Sequence, residues 1–444
     1  MTGITNYNHF LKELAQIKDL EIIEHPAERK RFSRDFFNYS PVLFEKLHQC
    51  CADVVLRPKS IKTISLIAKA CYENDIPLTL RGSGTGNYGQ CVPVEGGAVV
   101  LMESFKKIRK FDSLTGEVTV EPGCLIGDLN NYLSKEGRQL RLMPSTWRNA
   151  SLGGFISGGS GGIGSVRWGF LRDPGHLKGL EILTVEEIPR LIKLDETSSE
   201  PLNHAYGTNG IITAVTLATA PFEEWHEVTI DCDKFSDAIA LIKCCSSAAI
   251  NIYLCSLLER RIIEDIPNWS GDIMDEYRIL ILVSADGINT LKKISSLYKG
   301  KLRNLGKESS ANGLRELSWN HTTLHMRAKD TSWTYLQMLL PQPELEAIDF
   351  LNKRWRNDIL WHLEAVRQQG TQRIAALPLV RWKDKDVLNN LISDCIKTGA
   401  FIFNPHVITV EDGGLGTVDS DQVEAKRKFD PKGLLNPRKL KGWV

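Results

Sequence analysis

The sequence predicts an α+β chain in two parts, and three observations carry that expectation. Residues 53–82 read as strand, helix, strand, and they deliver a glycine-rich loop, RGSGTGNYG at Arg81–Gly89. Short apolar strands broken by turns continue to about residue 225, and among them lies a second glycine run, SLGGFISGGSGGIG at Ser151–Gly164. Strand–helix alternation then begins afresh at Glu227, as an α/β sandwich domain would require. A chain of 444 residues has room for about two or three domains.

Each element has a local reason. In DVVLRP a strand ends at Pro58, and SIKTISLIAKACYEN then carries Ile61, Ile64, Ile67, Ala68 and Cys71 on one stripe behind Ser60 as N-cap. IPLTL follows as a buried strand, completing a βαβ unit whose loop leaves from the strand's carboxyl end. AVVLM and EVTVEPG read as strands around a DSLTG turn. CLIGDLNNYLSKEG reads as a helix closed by Gly137, while GHLKGLEILTV and NGIITAVTLATAP read as further strands. In the second half, EVTIDCDKFSDAIALIKCCSS and EYRILILVSADGINTLKKISSLYKG each give a strand then a helix, and NIYLCSLLERRIIEDIP a strand entering a helix. Residues 1–50 are locally helical in HFLKELAQI and read as a lead-in without chemistry.

Composition excludes several classes. With 42% hydrophobic and 25% charged residues the chain is of ordinary globular make-up, and its net charge of +1 provides no field for nucleic acid or an anionic membrane. No apolar run approaches the roughly 20 residues of a membrane span. The N-terminus shows neither the basic nor the apolar region of a signal peptide. Ten cysteines, without a C-x-x-C, suit neither a zinc or iron–sulfur site nor a small disulfide scaffold. Reduced thiols and a cytoplasmic location are expected.

The glycine runs point to chemistry. Four glycines lie in nine residues of the first run and seven in fourteen of the second. Glycine at that density is kept where backbone turns to positive φ or something approaches the main chain closely. Gly84, Gly86 and Gly89 spell G-x-G-x-x-G after a strand, which suggests a nicotinamide dinucleotide. That motif needs a helix at once, whereas QCVPVEGGAVVLM leads to another strand. A nicotinamide-dependent dehydrogenase is therefore the weaker alternative.

Taken together, RGSGTGNYG, VEPG (Val120–Gly123), MPST (Met143–Thr146), SLGG (Ser151–Gly154), GGIGSVRWGFLRDPGHLKGLEIL, YGTNGIIT (Tyr206–Thr213) and FDPKGLLNP (Phe429–Pro437) resemble the vanillyl-alcohol oxidase/para-cresol methylhydroxylase flavoproteins. The nearest likeness is to the branch of the glycolate oxidase FAD subunit and the D-lactate dehydrogenases. The resemblance implies a two-part FAD-binding domain over 51–225, a cap or substrate domain over 226–400, and a segment 401–444 returning to the FAD domain. It places Arg81, Gly82, Ser83, Gly84, Thr85, Gly86 and Asn87 on the pyrophosphate. Pro144 and Ser145, with Ser151, Gly153, Gly154, Ser157, Gly158, Gly161, Gly162, Ile163 and Gly164, would follow the ribityl chain and isoalloxazine. Gly210, Ile211 and Ile212 would lie at the adenine end. Members that attach FAD covalently use a histidine in the first loop, sometimes with a cysteine near the second. Arg81–Pro93 holds no histidine and Ser151–Gly164 no cysteine, so FAD is expected to be non-covalent.

The chemistry implied is oxidation of a CH–OH group of a small polar substrate, the 2-hydroxy acids being the class of that branch, with hydride passing to flavin N5. A base and a cation for an anionic substrate are needed. His325 or His406 is the expected base, and Arg327 or Arg381 the expected partner of a carboxylate. His321 and His325 lie four apart, but no H-E-x-x-H glutamate accompanies them, and Thr322 and Thr323 favour a strand. The D-2-hydroxy-acid members carry a histidine- and glycine-rich segment that supports a metal, and the corresponding stretch here is taken to be NPHVITVEDGG, with the single histidine His406. No metal is expected. The electron acceptor is left open among a quinone, a cytochrome and oxygen. An accessory flavoprotein subunit of a multi-component oxidase is the other alternative.

Overall fold

A computed structural model describes residues 2–267, 275–308, 313–414 and 416–443. The βαβ unit forms from Val54–Pro58, the helix Ile61–Asn74 and Leu78–Arg81. Ser60 Oγ accepts from the Thr63 amide at 3.2 Å, and Asp75 ends the helix in left-handed backbone at φ 55°. The two strands are not neighbours, because Ala98–Leu101 lies between them, parallel to both. No helix follows the glycine loop; Ala98–Leu101 is the next regular element. The lead-in is part of this sheet, since Leu20–Ile23 pairs antiparallel with Val54–Pro58.

A second sheet orders Ile108–Asp112, Glu117–Val120, Ile211–Pro221, Leu177–Leu183 and Leu191–Asp195, with Arg138–Leu140 pairing the far end of Ile211–Pro221. The helix Ile126–Lys135 ends before Gly137, whose φ of +70° no side-chain-bearing residue adopts readily. Part of the second glycine run is helical, over Leu152–Gly158. Close packing explains those glycines: a Cβ on Gly153 would lie 2.5 Å from the Pro122 side chain.

The cap is an eight-stranded antiparallel sheet in the order Lys301–Lys307, Trp225–Cys232, Tyr277–Ser284, Ile252–Glu259, His362–Gln368, Thr371–Ala376, Met338–Leu339, Phe401–Ile402. Strand alternation splits its residues between two cores. Ile279, Ile281 and Val283 pack with the helices Phe235–Ser247, Ile288–Leu297, Glu344–Trp355 and Lys385–Lys397. Leu280 and Leu282 face the other way, sharing a cluster with Val118, Leu177 and Val215 of the second sheet. The cap sheet is thus sandwiched between its helices and the first domain. Phe401–Ile402 still closes the cap sheet, so the chain's return to the first domain begins beyond it.

That return is held by backbone and by a buried charge pair. The Leu78 amide donates to Leu434 O at 2.8 Å, and the Asn436 amide donates to Leu78 O at 2.7 Å, covering the edge of the first sheet. Lys426, on the helix Ser420–Phe429 and 1% exposed, donates from Nζ to Asp430 Oδ2 (2.7 Å), Thr208 O (2.8 Å) and Leu435 O (3.0 Å). Asp430 also accepts from the Leu434 and Leu435 amides. Removing one member leaves the other charge buried and unpaired, which costs about 3–5 kcal/mol. Asp430→Ala is expected to lower unfolding free energy by about that much in urea titrations; a change under about 1 kcal/mol would contradict this assignment.

Candidate functional site in the cleft between the glycine runs and the cap

The two glycine runs meet face to face. Ser83 N donates to Ser151 Oγ at 3.3 Å, Gln90 Nε2 donates to Gly158 O at 2.9 Å, and a Cβ on Gly82 would lie 2.1 Å from Ser151 Oγ. A side chain at Gly82 would displace Ser151 Oγ from its hydrogen bond with the Ser83 amide. Between them and the cap opens a cleft of ≈ 430 Å³. Its floor carries Gly82–Asn87 from the first run, Pro144, Ser145 and Thr146, and Ser151, Gly153, Gly154, Ser157, Gly158 and Gly161 from the second. Ile212 reaches it from the second sheet. The amides of Gly84, Thr85 and Gly86 donate to no group among the described residues, so they are free to receive a ligand.

Several expected cofactor residues lie behind the wall instead. Arg81 turns away from the cleft: its Nη1 donates to Arg34 O at 2.6 Å and to Cys91 Sγ at 3.2 Å, and its guanidinium lies 5.9 Å from the Phe32 ring. Desolvating that fork without partners would be costly, and the carbonyl behind the loop supplies one. Ile163 is fully buried and exchanges backbone hydrogen bonds with Met143, while a Cβ on Gly162 would meet Met143 O at 2.2 Å. Gly164 N donates to Tyr253 O of the cap. These three residues lock the Met143–Thr146 turn and the domain junction. Gly210 and the fully buried Ile211 likewise do not line the cleft.

The expected catalytic residues are displaced too. His406 is buried, with Nδ1 on Ser40 Oγ at 2.7 Å and Nε2 on Tyr335 O at 2.9 Å, outside the cleft. It joins the lead-in, the cap and the returning segment. Arg327 donates to Asn38 O at 2.9 Å, to Thr331 O at 3.1 Å and to Trp333 O, and Arg381 binds Asp330 and Ser332 while stacking on Trp333. Both cations are therefore committed to the cap's own backbone and side chains. His325 also lies outside the cleft, and the segment expected to be extended at Thr322 and Thr323 is helical, His321–Lys329. Glu411 accepts from the Lys441 and Gly442 amides and so fastens the chain's last described turn.

The helix instead presents His321. Its Nδ1 lies 3.2 Å from Glu316 O, and since a carbonyl only accepts, Nδ1 carries the proton and Nε2 is left as an acceptor. Burial pushes the His321 pKa down, against the opposing pull of Glu316. Glu316 in turn receives Arg148 Nε at 2.7 Å, an ion pair that spans from the first domain to the cap across the cleft. Trp319, Asn320, Leu324, Gln337, Leu377 and Phe403 complete the cap side, and the lead-in adds Asp35, Phe36 and Tyr39. A fully buried relay fixes the start of the helix: His362 Nδ1 pairs with Thr322 Oγ1 at 2.9 Å, His362 Nε2 with Glu364 Oε1 at 2.8 Å, and that oxygen also accepts from the Trp319 amide. Arg148 lies two residues beyond the MPST turn, which was its available signal. Asp35 and Tyr39 had none, because only tertiary structure brings the lead-in here.

Unpaired polar atoms mark the rest of the wall. His204 Nε2, Tyr206 Oη and Asp35 Oδ2 are buried without hydrogen-bond partners, and all three residues line the cleft. Glycine-lined backbone with unused amides, beside unpaired donors and acceptors, fits a large polar cofactor bearing a diphosphate.

Residues 52–187 match the family model described as the FAD binding domain. The chain thus carries an FAD-binding domain, and its cofactor is FAD. It is 32% identical over 202 residues to the glycolate oxidase subunit GlcD of Bacillus subtilis, covering 44% of this chain and 42% of that protein. It is 27% identical over 220 residues to a mitochondrial D-2-hydroxyglutarate dehydrogenase of Danio rerio (48% and 41%), and 30% identical over 174 residues to a D-lactate dehydrogenase of Anaerostipes hadrus (38% and 36%). The matches thus span about two fifths of the length of these curated relatives. A solved alkyldihydroxyacetonephosphate synthase shares the fold, with a TM-score of 0.72 at 16% identity over 98% of this chain and 86% of that one. Among the described residues no helix is long and apolar enough to cross a membrane, and no three His, Cys, Asp or Glu side chains are grouped to hold a metal ion.

His406 supplies a pH test of the structural role given to it. Burial holds its pKa down at about 4, so the folded state keeps it neutral where the unfolded chain is protonated. Its contribution to stability is present above pH ~6.5 and is lost as pH falls toward 4, on the order of 3 kcal/mol in all. The stability advantage of wild type over His406→Asn is expected to grow by roughly that amount from pH 4 to 6.5 in denaturant titrations. An advantage independent of pH would contradict the buried, neutral assignment.

Proposed function

We propose that the protein is an FAD-dependent oxidoreductase that oxidises the CH–OH group of a small 2-hydroxy acid to the 2-oxo acid. The observation that carries this reading is the pairing, across one cleft, of the glycine floor with His321, Glu316 and Arg148 on its rim. The loop Ser83–Asn87 would hold the diphosphate through its unused amides, and the turn Pro144–Ser145 with Ser151–Gly158 would hold the rest of the flavin. Bound FAD supplies the hydride acceptor. His321 Nε2 takes the hydroxyl proton, its ring held by the Glu316 carbonyl so that the free nitrogen points at the substrate. Arg148, held by Glu316 at the rim of the cleft, provides the positive charge that an incoming carboxylate seeks. Trp319, Leu324 and Phe403 exclude water from the reacting centre.

Two features of the sequence support a flavin held without a covalent bond: the first loop offers no histidine and the second run no cysteine. A cytoplasmic location accords with ten cysteines all present as free thiols. A second reading, a flavoprotein subunit of a larger oxidase, is favoured by the name of the Bacillus subtilis relative, itself a subunit. In either case reduced flavin is reoxidised by a quinone, a cytochrome or oxygen.

Acid precipitation is expected to leave the yellow colour in the supernatant; flavin retained by the pellet would refute non-covalent binding. Mixed anaerobically with glycolate, D-lactate and D-2-hydroxyglutarate in turn, the protein is expected to bleach with at least one. His321→Gln should slow that bleaching by roughly 100-fold or more, whereas His325→Gln should leave it nearly unchanged. Equal effects of the two substitutions would remove His321 as the base, and a flavin reduced by no hydroxy acid would favour the subunit reading.

A further inference from the structure

Of the unpaired atoms on the cleft wall, Asp35 Oδ2 belongs to no cofactor motif and stands beside the first glycine loop. A buried polar group left unpaired is costly, so a ligand that satisfies it gains correspondingly. The carboxyl is fixed in place: Oδ1 accepts from the Phe37 amide at 2.9 Å, and the adjoining Phe36 amide donates to Gly86 O at 2.8 Å. Oδ2 lies 3.7 Å from the point where a Gly86 side chain would start. Asp35 therefore stands at the same loop whose amides await a diphosphate. An ionised carboxylate there would repel two phosphate charges, but a neutral acid would donate a hydrogen bond to them.

We propose that Asp35 is a cofactor-binding residue that meets the FAD diphosphate as the neutral acid, Oδ2–H donating to a phosphate oxygen, so that each FAD bound brings one proton in from solution. This rests on the reading that the Ser83–Asn87 loop holds the diphosphate. The groups facing Asp35 are Lys439 from the returning segment, Arg81 from the strand before the loop, Cys91 beyond it, Tyr206 from the approach to the second sheet, and Tyr335 from the cap. Burial outweighs the two cations and raises the Asp35 pKa to about 6, while burial lowers Lys439 to about 8. In the free protein near neutral pH, Asp35 is thus mostly ionised. Two further negative charges favour its acid form, so binding takes up a proton. FAD affinity is then greatest below pH ~6 and falls on raising pH, by at most tenfold per unit from this one group. Lys439 titrates higher and contributes little at pH 6.5.

The test is calorimetric titration of the full-length apoprotein with FAD at pH 6.5, in two buffers of different ionisation heat. A net uptake of about half a proton or more per FAD is expected. Asp35→Asn, which keeps a neutral donor, should bind FAD with that uptake removed. Wild-type binding without net uptake would overturn the proposal, as would equal uptake by the variant; the wild-type measurement decides alone if the variant does not fold. A protein that binds no FAD in either buffer would instead refute the loop reading beneath it.

Discussion

The site depends on the contact between the two glycine-rich runs. Gly82 faces Ser151 with no space for a Cβ, and Ser83–Ser151 and Gln90–Gly158 hydrogen bonds join the runs. A side chain at Gly82 would push Ser151 Oγ off the Ser83 amide and crowd Ser151 Cβ, disturbing the seam that makes the floor of the cleft. The same constraint recurs behind the floor, where Gly162 and Gly164 abut the carbonyls of Met143 and Arg141. The first set of glycines makes a surface; the second lets the Met143–Thr146 turn and the cap close upon it.

Everything else holds that floor beneath the cap. The cap sheet buries Leu280 and Leu282 against the second sheet while Ile279, Ile281 and Val283 face its helices, so cap and floor share one core. Arg315 strengthens the junction, with its guanidinium 3.0 Å from Met143 Sδ and 4.8 Å from the Tyr253 ring. The His362–Glu364 relay fixes the turn carrying Trp319 and His321. The lead-in and the returning segment close the remaining side, meeting at His406 and Ser40.

The fold was legible because its signals are local. Ser60 before an apolar stripe, Gly137 after one, and alternation in EVTV each specify an element within a few residues. The floor of the cleft was legible for the same reason, glycine density being a direct record of close approach. What failed was direction. Arg81 sits next to the loop in sequence, yet its side chain turns to the Arg34 carbonyl behind it. His325 and His321 share a helix, but one helical turn decides which of them enters the cleft. His406 looked catalytic among glycines and acids, whereas its partners Ser40 and Tyr335 are 366 and 71 residues away and invisible to any local pattern. Asp35 was hidden in the same way, in a segment that only tertiary pairing brings to the site.

The central claim is that the meeting of the two glycine runs makes the flavin site. It is tested most directly by the visible absorption spectrum of the untreated protein beside that of a folded Gly82→Val variant. The two bands of oxidised flavin are expected in wild type and absent from the variant. A colourless wild type, or a variant carrying flavin in full, would contradict it.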